Sequence, residues 1–496
     1  MQGFATALEP THLFYSFVGV FVGNLVGVLP GIGPLAAISM LLPITYGLSP
    51  TGALMMLAGL YYGAQYGGAT TSILLNLPGV ASHAVTCLDG YPMARSGRAG
   101  QALLMSMVAS FIGASIGIVL MTLFSPYLTE VAFKFGPAEY FSMMMLGLMA
   151  ASTLSTGSPL KGIAMVFIGI AFGLVGTDVN SGAMRFTFGF MELSDGIALV
   201  ALAMGLFGIA DVFANANRLG KASVLKGDVS MRTLRLSRDD MRRSAVPILR
   251  GAGIGAFFGT LPGTGSSIAS FMSYAVEKKM SRTPERFGHG AIEGVAGPES
   301  SNNAAAQTAF IPTMSLGIPG DAVMALMLGA LMIHNIQPGP QLITEHPAIF
   351  WGLIASFWVG NLLLLLLNIP LIGMWVRLLT VPYRIIYPAV LFFICAGVYS
   401  TNNSLFDVGV VLAIGAFGYV ASRLGFQPAP LVLGFVLGPM VEENFRRAML
   451  LSRGDPLVFF NRPISAVCIT IGILLLAVVA YKRLRRPAAV AGEVQA

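Results

Sequence analysis

The chain has 496 residues, 55% of them hydrophobic and only 10% charged, with a mean hydropathy of +0.77. A soluble domain carries about 25% charged residues to wet its surface, so a string of soluble domains is excluded. The net charge is 29 − 22 = +7. Cys87, Cys395 and Cys468 lie in or beside apolar runs, without the spacing of a zinc site or a disulfide scaffold. No basic segment opens the chain, so no cleavable signal peptide is expected. The composition fits a polytopic membrane protein, with room for roughly ten or more spans of ~20 residues in a lipid bilayer.

In chain order, apolar stretches run at 11–28, 52–66, 99–125, 138–154, 160–177 and 195–214. A second set covers 245–261, 321–336, 348–372, 386–400, 405–422 and 464–481. The segments 34–46, 67–78, 266–276 and 300–316 are too short to span alone and contain or border Gly, Pro, Asn and Ser. They read as broken or re-entrant helices. The expected class is an all-α polytopic membrane protein with about 10–13 membrane segments.

The two sets repeat one another. Gly19, Gly23, Gly27, Pro30, Gly31 and Gly33 recur 232 positions later as Gly251, Gly255, Gly259, Pro262, Gly263 and Gly265. Leu75, Pro78 and Gly79 recur 241 later as Leu316, Pro319 and Gly320, and Ala171-Phe172-Gly173 recurs 245 later as Ala416-Phe417-Gly418. The reading is a first membrane repeat (1–214), a basic cytoplasmic linker (215–244), a second membrane repeat (245–481) and a C-terminal tail (482–496).

Lys/Arg placement suggests inversion of the halves. No Lys or Arg precedes the first span, whereas the basic linker precedes its counterpart. The loop 178–194 holds only Arg185, against Arg423, Arg446, Arg447, Arg453 and Arg462 in the second half, which places the two groups on opposite faces. The tail Lys482–Arg486 fits only if the stretch 428–441 makes an additional crossing. Residues 218–250 hold nine Lys/Arg and three acids, +6 of the total +7. The charge is therefore mainly an orientation signal, and no nucleic-acid partner is expected.

Two Leu-Pro-Gly-x-Gly elements (29–33 and 261–265) each end a glycine-rich helix and precede a short one. Their Pro30, Gly31, Gly33, Pro262, Gly263 and Gly265, with Ser266, are expected to bind substrate. Freed N–H groups at a helix start favour an anion, and two such starts from meeting repeats are a recurrent transporter layout. The bland reading is that the glycines are packing faces and the prolines merely end them. A second pair of elements offers Thr70, Thr71, Ser72, Asn76, Pro78 and Gly79, and Asn302, Asn303, Gly317, Pro319 and Gly320. These hydroxyls, amides and carbonyls suit a carboxylate or Na⁺, or simply satisfy the broken helices.

Glu299 is the sharpest acid in apolar context and reads as a proton or cation site. It also suits a helix cap, or a pair with Arg282 or Arg286. Asp321 reads as an N-cap, and Asp211 and Asp407 as helix ends at the interface. No catalytic residues and no metal site are expected. Gly113-Ala-Ser-Ile-Gly117 matches a hydrolase pattern but lies mid-helix, so it reads as a packing face.

The chain resembles the large membrane subunit of the tripartite tricarboxylate transporters, the TctA family, over about residues 10–480. The resemblance rests on Gly27-Val-Leu-Pro-Gly-Ile-Gly33, Tyr61-Tyr-Gly-Ala-Gln-Tyr-Gly-Gly-Ala-Thr-Thr-Ser-Ile-Leu-Leu-Asn-Leu-Pro-Gly79 and Gly259-Thr-Leu-Pro-Gly-Thr-Gly265. Pro298-Glu299, Asn302-Asn-Ala-Ala-Ala306, Leu316-Gly-Ile-Pro-Gly320 and Glu443-Asn-Phe-Arg-Arg-Ala448 extend it. Ser300-Ser301 departs from the alanines usual there. The resemblance implies a secondary transporter of the bacterial inner membrane, importing tricarboxylates or related organic acids on a H⁺ or Na⁺ gradient. It implies two partners, a small four-helix membrane subunit and a periplasmic solute-binding protein, and no cofactor besides the coupling cation. The alternative is a gradient-independent channel or stand-alone permease for small anions.

Overall fold

The computed structural model describes residues 2–29, 33–154, 158–178, 181–215, 233–261, 265–379 and 383–484. Pro30, Gly31, Pro262 and Gly263, most of the linker and the tail beyond Leu484 lie outside the described residues. The first half forms α1 (Gln2–Ala7), α2 (Pro10–Val28), α3 (Pro34–Thr45), α4 (Pro50–Leu75), a 3₁₀ turn (Ala81–Ala84), α5 (Thr86–Met93), α6 (Ala99–Ala132), α7 (Pro137–Leu154) and α8 (Pro159–Gly173). A two-residue hairpin, β1 (Gly176–Thr177) with β2 (Met184–Arg185), precedes α9 (Leu199–Ala203), which runs through a π-helical segment (Met204–Ile209) into α10 (Ala210–Asn215).

The second half forms α11 (Arg238–Gly259), α12 (Gly265–Met280), α13 (Glu293–Thr308), α14 (Phe310–Leu316), α15 (Ala322–Ile333), α16 (Gln341–Glu345), α17 (Pro347–Asn368) and α18 (Ile372–Leu378). It ends with α19 (Tyr383–Asn402), α20 (Leu405–Arg423), α21 (Ala429–Leu451), α22 (Val458–Asn461) and α23 (Pro463–Leu484). Among the described residues, Pro10–Val28, the run Thr86–Ala132 (kinked at Gly97, φ +83°), Pro347–Asn368 and Leu405–Arg423 are long and apolar enough to cross a membrane. The chain is an all-α membrane protein.

Two compact units divide it, and each draws on both halves of the sequence: residues 1–133 with 197–423, and 134–196 with 424–496. In the first unit, α4 is buried at every residue from Gly52 to Leu74. A helix surrounded on all sides must be small or apolar all round, and α4 meets this with glycines. Gly19, Gly23 and Gly27 of α2 rest on the carbonyls of Met56, Leu60 and Ala64, while Gly59, Gly63 and Gly67 of α4 rest on Ser16, Val20 and Asn24. In the second half, Gly251, Gly255 and Gly259 of α11 rest on the carbonyls of Gly297, Ser301 and Ala305 of α13. Gly113 and Gly117 likewise bring α6 against Ser300, Ala304 and Gln307.

The expected break within 67–78 comes later than the residue types suggested. α4 continues through Gly67 and Gly68 because the Thr71 and Ser72 hydroxyls return to the Gly68 carbonyl, at 2.9 and 3.0 Å, and the glycines are clamped by neighbours. It ends at Asn76, where φ is +57°. The expected short segment 300–316 is likewise the continuation of α13, which starts at Glu293 and is divided from α14 at Ala309. α14 ends at Gly317, where φ is +68°.

In the second unit, α8 and α21 run parallel. Gly169 and Gly173 rest on the carbonyls of Leu431 and Phe435, and Gly434 rests on that of Val166. Lys161 Nζ reaches the Leu424 carbonyl at their N-terminal ends (2.5 Å). At the opposite ends Asp178, Arg185, Glu442 and Arg446 form one ion-pair cluster, with Arg185–Glu442 at 2.9 Å and Arg446–Asp178 at 3.1 Å. The loop 178–194 and Arg446 therefore share a face, against the expectation of opposite ones. The reason is α21 itself, which follows Leu424 at the Lys161 end and carries Arg446 at the Asp178 end. α23 runs parallel to α7, with Ser142–Ser465 at 2.7 Å and Gly472 against Met149, so it returns to the Lys161 end.

Candidate functional site

Buried polar groups in the first unit gather where α4, the Ala81–Ala84 turn, α5 and α6 pack around α13. Glu299 stands mid-helix in α13 at 1% exposure. Thr86 donates its hydroxyl to Oε1 at 2.5 Å and Ser110 to Oε2 at 3.3 Å, and His83 Nε2 lies 3.6 Å from Oε2. Asn302, almost one turn on, points its amide nitrogen at Gln65 Oε1 (3.1 Å) and at His83 Nε2 (3.2 Å). The Ser82 hydroxyl donates to the same Gln65 oxygen at 3.3 Å. Neutral donors alone offset only part of the several kcal/mol that burying an ionised carboxylate costs. Such a site favours whatever positive charge completes it.

Next to this cluster, Tyr62 donates to Gln307, and Tyr66 to Asn361 Oδ1 at 2.7 Å. Asn361 Nδ2 donates to the Phe111 carbonyl and to Ser115 Oγ, each at 3.1 Å. These bonds tie α4, α6, α13 and α17 together inside an apolar surround, where each hydrogen bond made favours one packing arrangement.

The residues expected from sequence fall into groups. Glu299 and Asn302 lie in the central cluster, while Asn303 donates to the Glu299 carbonyl at 3.0 Å. Being mid-helix, Glu299 does not cap, and Arg286 turns instead to Glu293 at 3.9 Å. Thr71 and Ser72 are spent on their own helix, and Thr70 is buried beside them. Asn76 and Pro78 are exposed at the end of α4. Gly79 folds back so that a Cβ there would lie 2.5 Å from the Gly27 carbonyl, and one on Gly320 would lie 3.4 Å from that of Gly259. Ser300, the first of the two serines expected to depart from the family's alanines, donates to the Ile248 carbonyl at 2.7 Å.

Gly265 (φ +59°) opens α12 beside the Asp321 carboxylate, with Ser266 next in the first turn. Asp321 itself caps α15, accepting from the Met324 amide at 2.9 Å. Pro319 and Gly320 are the residues just before it, after the left-handed Gly317. Gly33 precedes Pro34 at the start of α3 with no side-chain cap, and a Cβ on it would meet nothing within 4 Å.

Gln65, Ser82, His83, Thr86 and Ser110 were not singled out from the sequence. Gln65 was legible as an amide inside an apolar run. His83 carried no local signal, because its partners lie more than 200 residues away.

A family model described as "Tripartite tricarboxylate transporter TctA family" matches residues 13–433. The chain is similar to an uncharacterized 52.8 kDa protein in the TAR-I ttuC' 3' region of Agrobacterium vitis, 52% identical over 483 residues, covering 97% of this chain and 96% of that one. It is also similar to an uncharacterized protein in the TAR-II ttuC' 3' region of the same organism, 58% identical over 220 residues, 44% of this chain and 91% of that one. No solved structure matches it.

Proposed function

Because the chain belongs to the tripartite tricarboxylate transporter TctA family, we propose that it is the large membrane subunit of a secondary active importer. Its substrates are tricarboxylates or related organic acids, its driving force a H⁺ or Na⁺ gradient, and its membrane the bacterial inner membrane. A periplasmic solute-binding protein delivers the substrate, and a small four-helix subunit completes the assembly. The observation that carries this reading is the buried carboxylate of Glu299 among hydroxyls, amides and one imidazole, where two glycine-packed helix pairs meet.

The two halves, 1–214 and 245–481, joined by the linker 215–244, act as inverted repeats. Matched contacts support their kinship: left-handed Asn76 and Gly317 end corresponding helices, and Gly79 and Gly320 fold toward Gly27 and Gly259. Ser72 and Thr313 bond back to Gly68 and Ala309, again 241 positions apart. The helix starts after Gly33 and Gly265 would hold substrate carboxylates through unpaired amides and the helix dipole. Thr70, Thr71, Ser72, Asn76, Asn302 and Asn303 line the path, and Glu299 takes the coupling cation. Alternating access follows from movement of this core against the remaining helices.

The test is uptake of labelled organic acids into proteoliposomes holding the full complex. Uptake should need a cation gradient and the binding protein. Uptake that persists after both H⁺ and Na⁺ gradients collapse would identify a channel or stand-alone permease instead.

A further inference from the structure

We propose that His83 and Glu299 form a single proton-binding pair, so that the coupling ion is H⁺ and His83 is its second ligand. This rests on the reading of Glu299 as the coupling site. Its basis is a missing hydrogen. The Asn302 amide nitrogen is only a donor, so at 3.2 Å it makes His83 Nε2 an acceptor. The Glu299 carboxylate is an acceptor too, yet Nε2 and Oε2 face each other at 3.6 Å with nothing to share. His83 Nδ1, left with the ring proton, lies against Gly68 without a hydrogen-bond partner. Both side chains are fully buried. One added proton between Nε2 and Oε2 removes the mismatch and displaces the Asn302 amide from Nε2.

Sodium fits this arrangement less well. Hard cations gather oxygen ligands on several sides, whereas here the carboxylate faces a ring nitrogen and two hydroxyls that already donate to it. The other titratable groups around Glu299 do not offer a second charge. From α4, Tyr66 is committed to Asn361, and from α5, Cys87 faces Ser72. Asp89, one turn beyond Thr86, is held by the Gly288, Gly290 and Ala291 amides and by Tyr274. From α12, Glu277 packs on Gly297 and pairs with Arg250 of α11 at 2.9 Å. From α6, Ser110 contributes a hydroxyl.

The proton also has a route to the substrate elements. Nε2 has one lone pair, so once it shares the proton with Oε2 it no longer accepts from Asn302, whose Oδ1 has no partner in this arrangement. Turning that amide takes its N–H away from the occupied lone pair and releases Gln65 Oε1, leaving Ser82 as its donor. Loading the proton thus alters the tie between α13, α4 and the turn that follows Pro78 and Gly79.

The experiment is infrared difference spectroscopy on the full-length chain in proteoliposomes. The pH is stepped from about 8 to about 5, with Na⁺ or choline as the only added cation. The expected result is a protonated-carboxyl band that is lost in Glu299→Gln and unaffected by Na⁺. His83→Gln should lower its midpoint by about one pH unit, a tenfold loss of proton affinity. Ser110→Ala, which removes a donor to the ionised form, should raise the midpoint. A band erased by Na⁺ at constant pH overturns the proton inference but leaves Glu299 as a cation site. A spectrum identical in Glu299→Gln overturns the inference outright, and gradient-driven uptake by that variant then decides the underlying reading separately. A midpoint unmoved by His83→Gln, or by His83→Asn if the first variant does not fold, overturns the pairing.

Discussion

Gly253 and Gly255 stand two residues apart on α11 and should respond oppositely to the same methyl group. Gly253 is exposed, and a Cβ there meets nothing within 4 Å. Gly253→Ala should therefore show only the helix-propensity gain, about 1 kcal/mol of added stability. A Cβ on Gly255 would sit 2.8 Å from both Cα and the carbonyl carbon of Ser301, and nearer still to its oxygen, where ordinary contact begins at 3.4 Å. Relief requires α11 and α13 to part by at least about 0.6 Å, and a gap of that size forfeits a quarter to a half of each dispersion well. Gly251 and Gly259 rely on the same close approach, so their contacts loosen together. Overpacking of this kind costs about 1–3 kcal/mol, and more here because backbone rather than a side chain must yield. After the propensity gain, Gly255→Ala should be destabilised by about 2 kcal/mol, some 3 kcal/mol below Gly253→Ala. Reversible unfolding in mixed detergent micelles, followed by far-ultraviolet circular dichroism, measures the difference. Equal stability of the two variants would refute the reasoning.

Three further perturbations test other parts of the molecule. Burial alone would raise the Asp240 carboxyl, but the Ser237 hydroxyl and amide, with Arg98, outweigh it and hold it below the ordinary aspartate value. Its contribution is complete above the unfolded value of 3.8 and is lost as pH falls through the lower folded value. Asp240→Ala should cost about 1 kcal/mol at neutral pH by removing the capping box of α11, and should flatten the acid limb of the stability profile. Arg462 pairs with Glu139, which is 3% exposed, at 2.7 Å. Arg462→Ala should cost about 2–3 kcal/mol, below the full buried-pair range because the arginine is half exposed, and the double variant Glu139→Leu/Arg462→Met should recover most of it. Phe188 holds φ at +51° with its ring 84% exposed. Phe188→Gly should raise stability in micelles by about 1 kcal/mol through relief of the left-handed backbone, and a loss of that size would instead reveal a packed ring.

The sequence by itself determined the chemical class, the helix-pairing glycines and the helix punctuation. Gly19/23/27 and Gly251/255/259 were legible because a helix that meets another backbone repeats small residues every four positions. Asp321 was legible because a cap acts on amides only three residues away. Glu299 was legible as an acid in apolar context, and the polar run that follows it marked Asn302.

Tertiary structure alone decided what those residues touch. Thr71 and Ser72 carry the same hydroxyls as Thr86 and Ser110, yet the first two serve their own helix and the last two serve Glu299. The opposing roles depend on which face each helix turns inward, and an all-round buried helix gives no amphipathic stripe to reveal that. The same holds for charge. Arg446 and Arg447 read as markers of one membrane face, but Glu442, Asp178 and Glu443 neutralise them through partners that local sequence identifies only in part. An (i, i+4) pair is visible in the chain; a pair 268 residues apart is not. Burial and long-range pairing are properties of the assembled helices, and in this protein they select the site from a long chain of plausible polar residues.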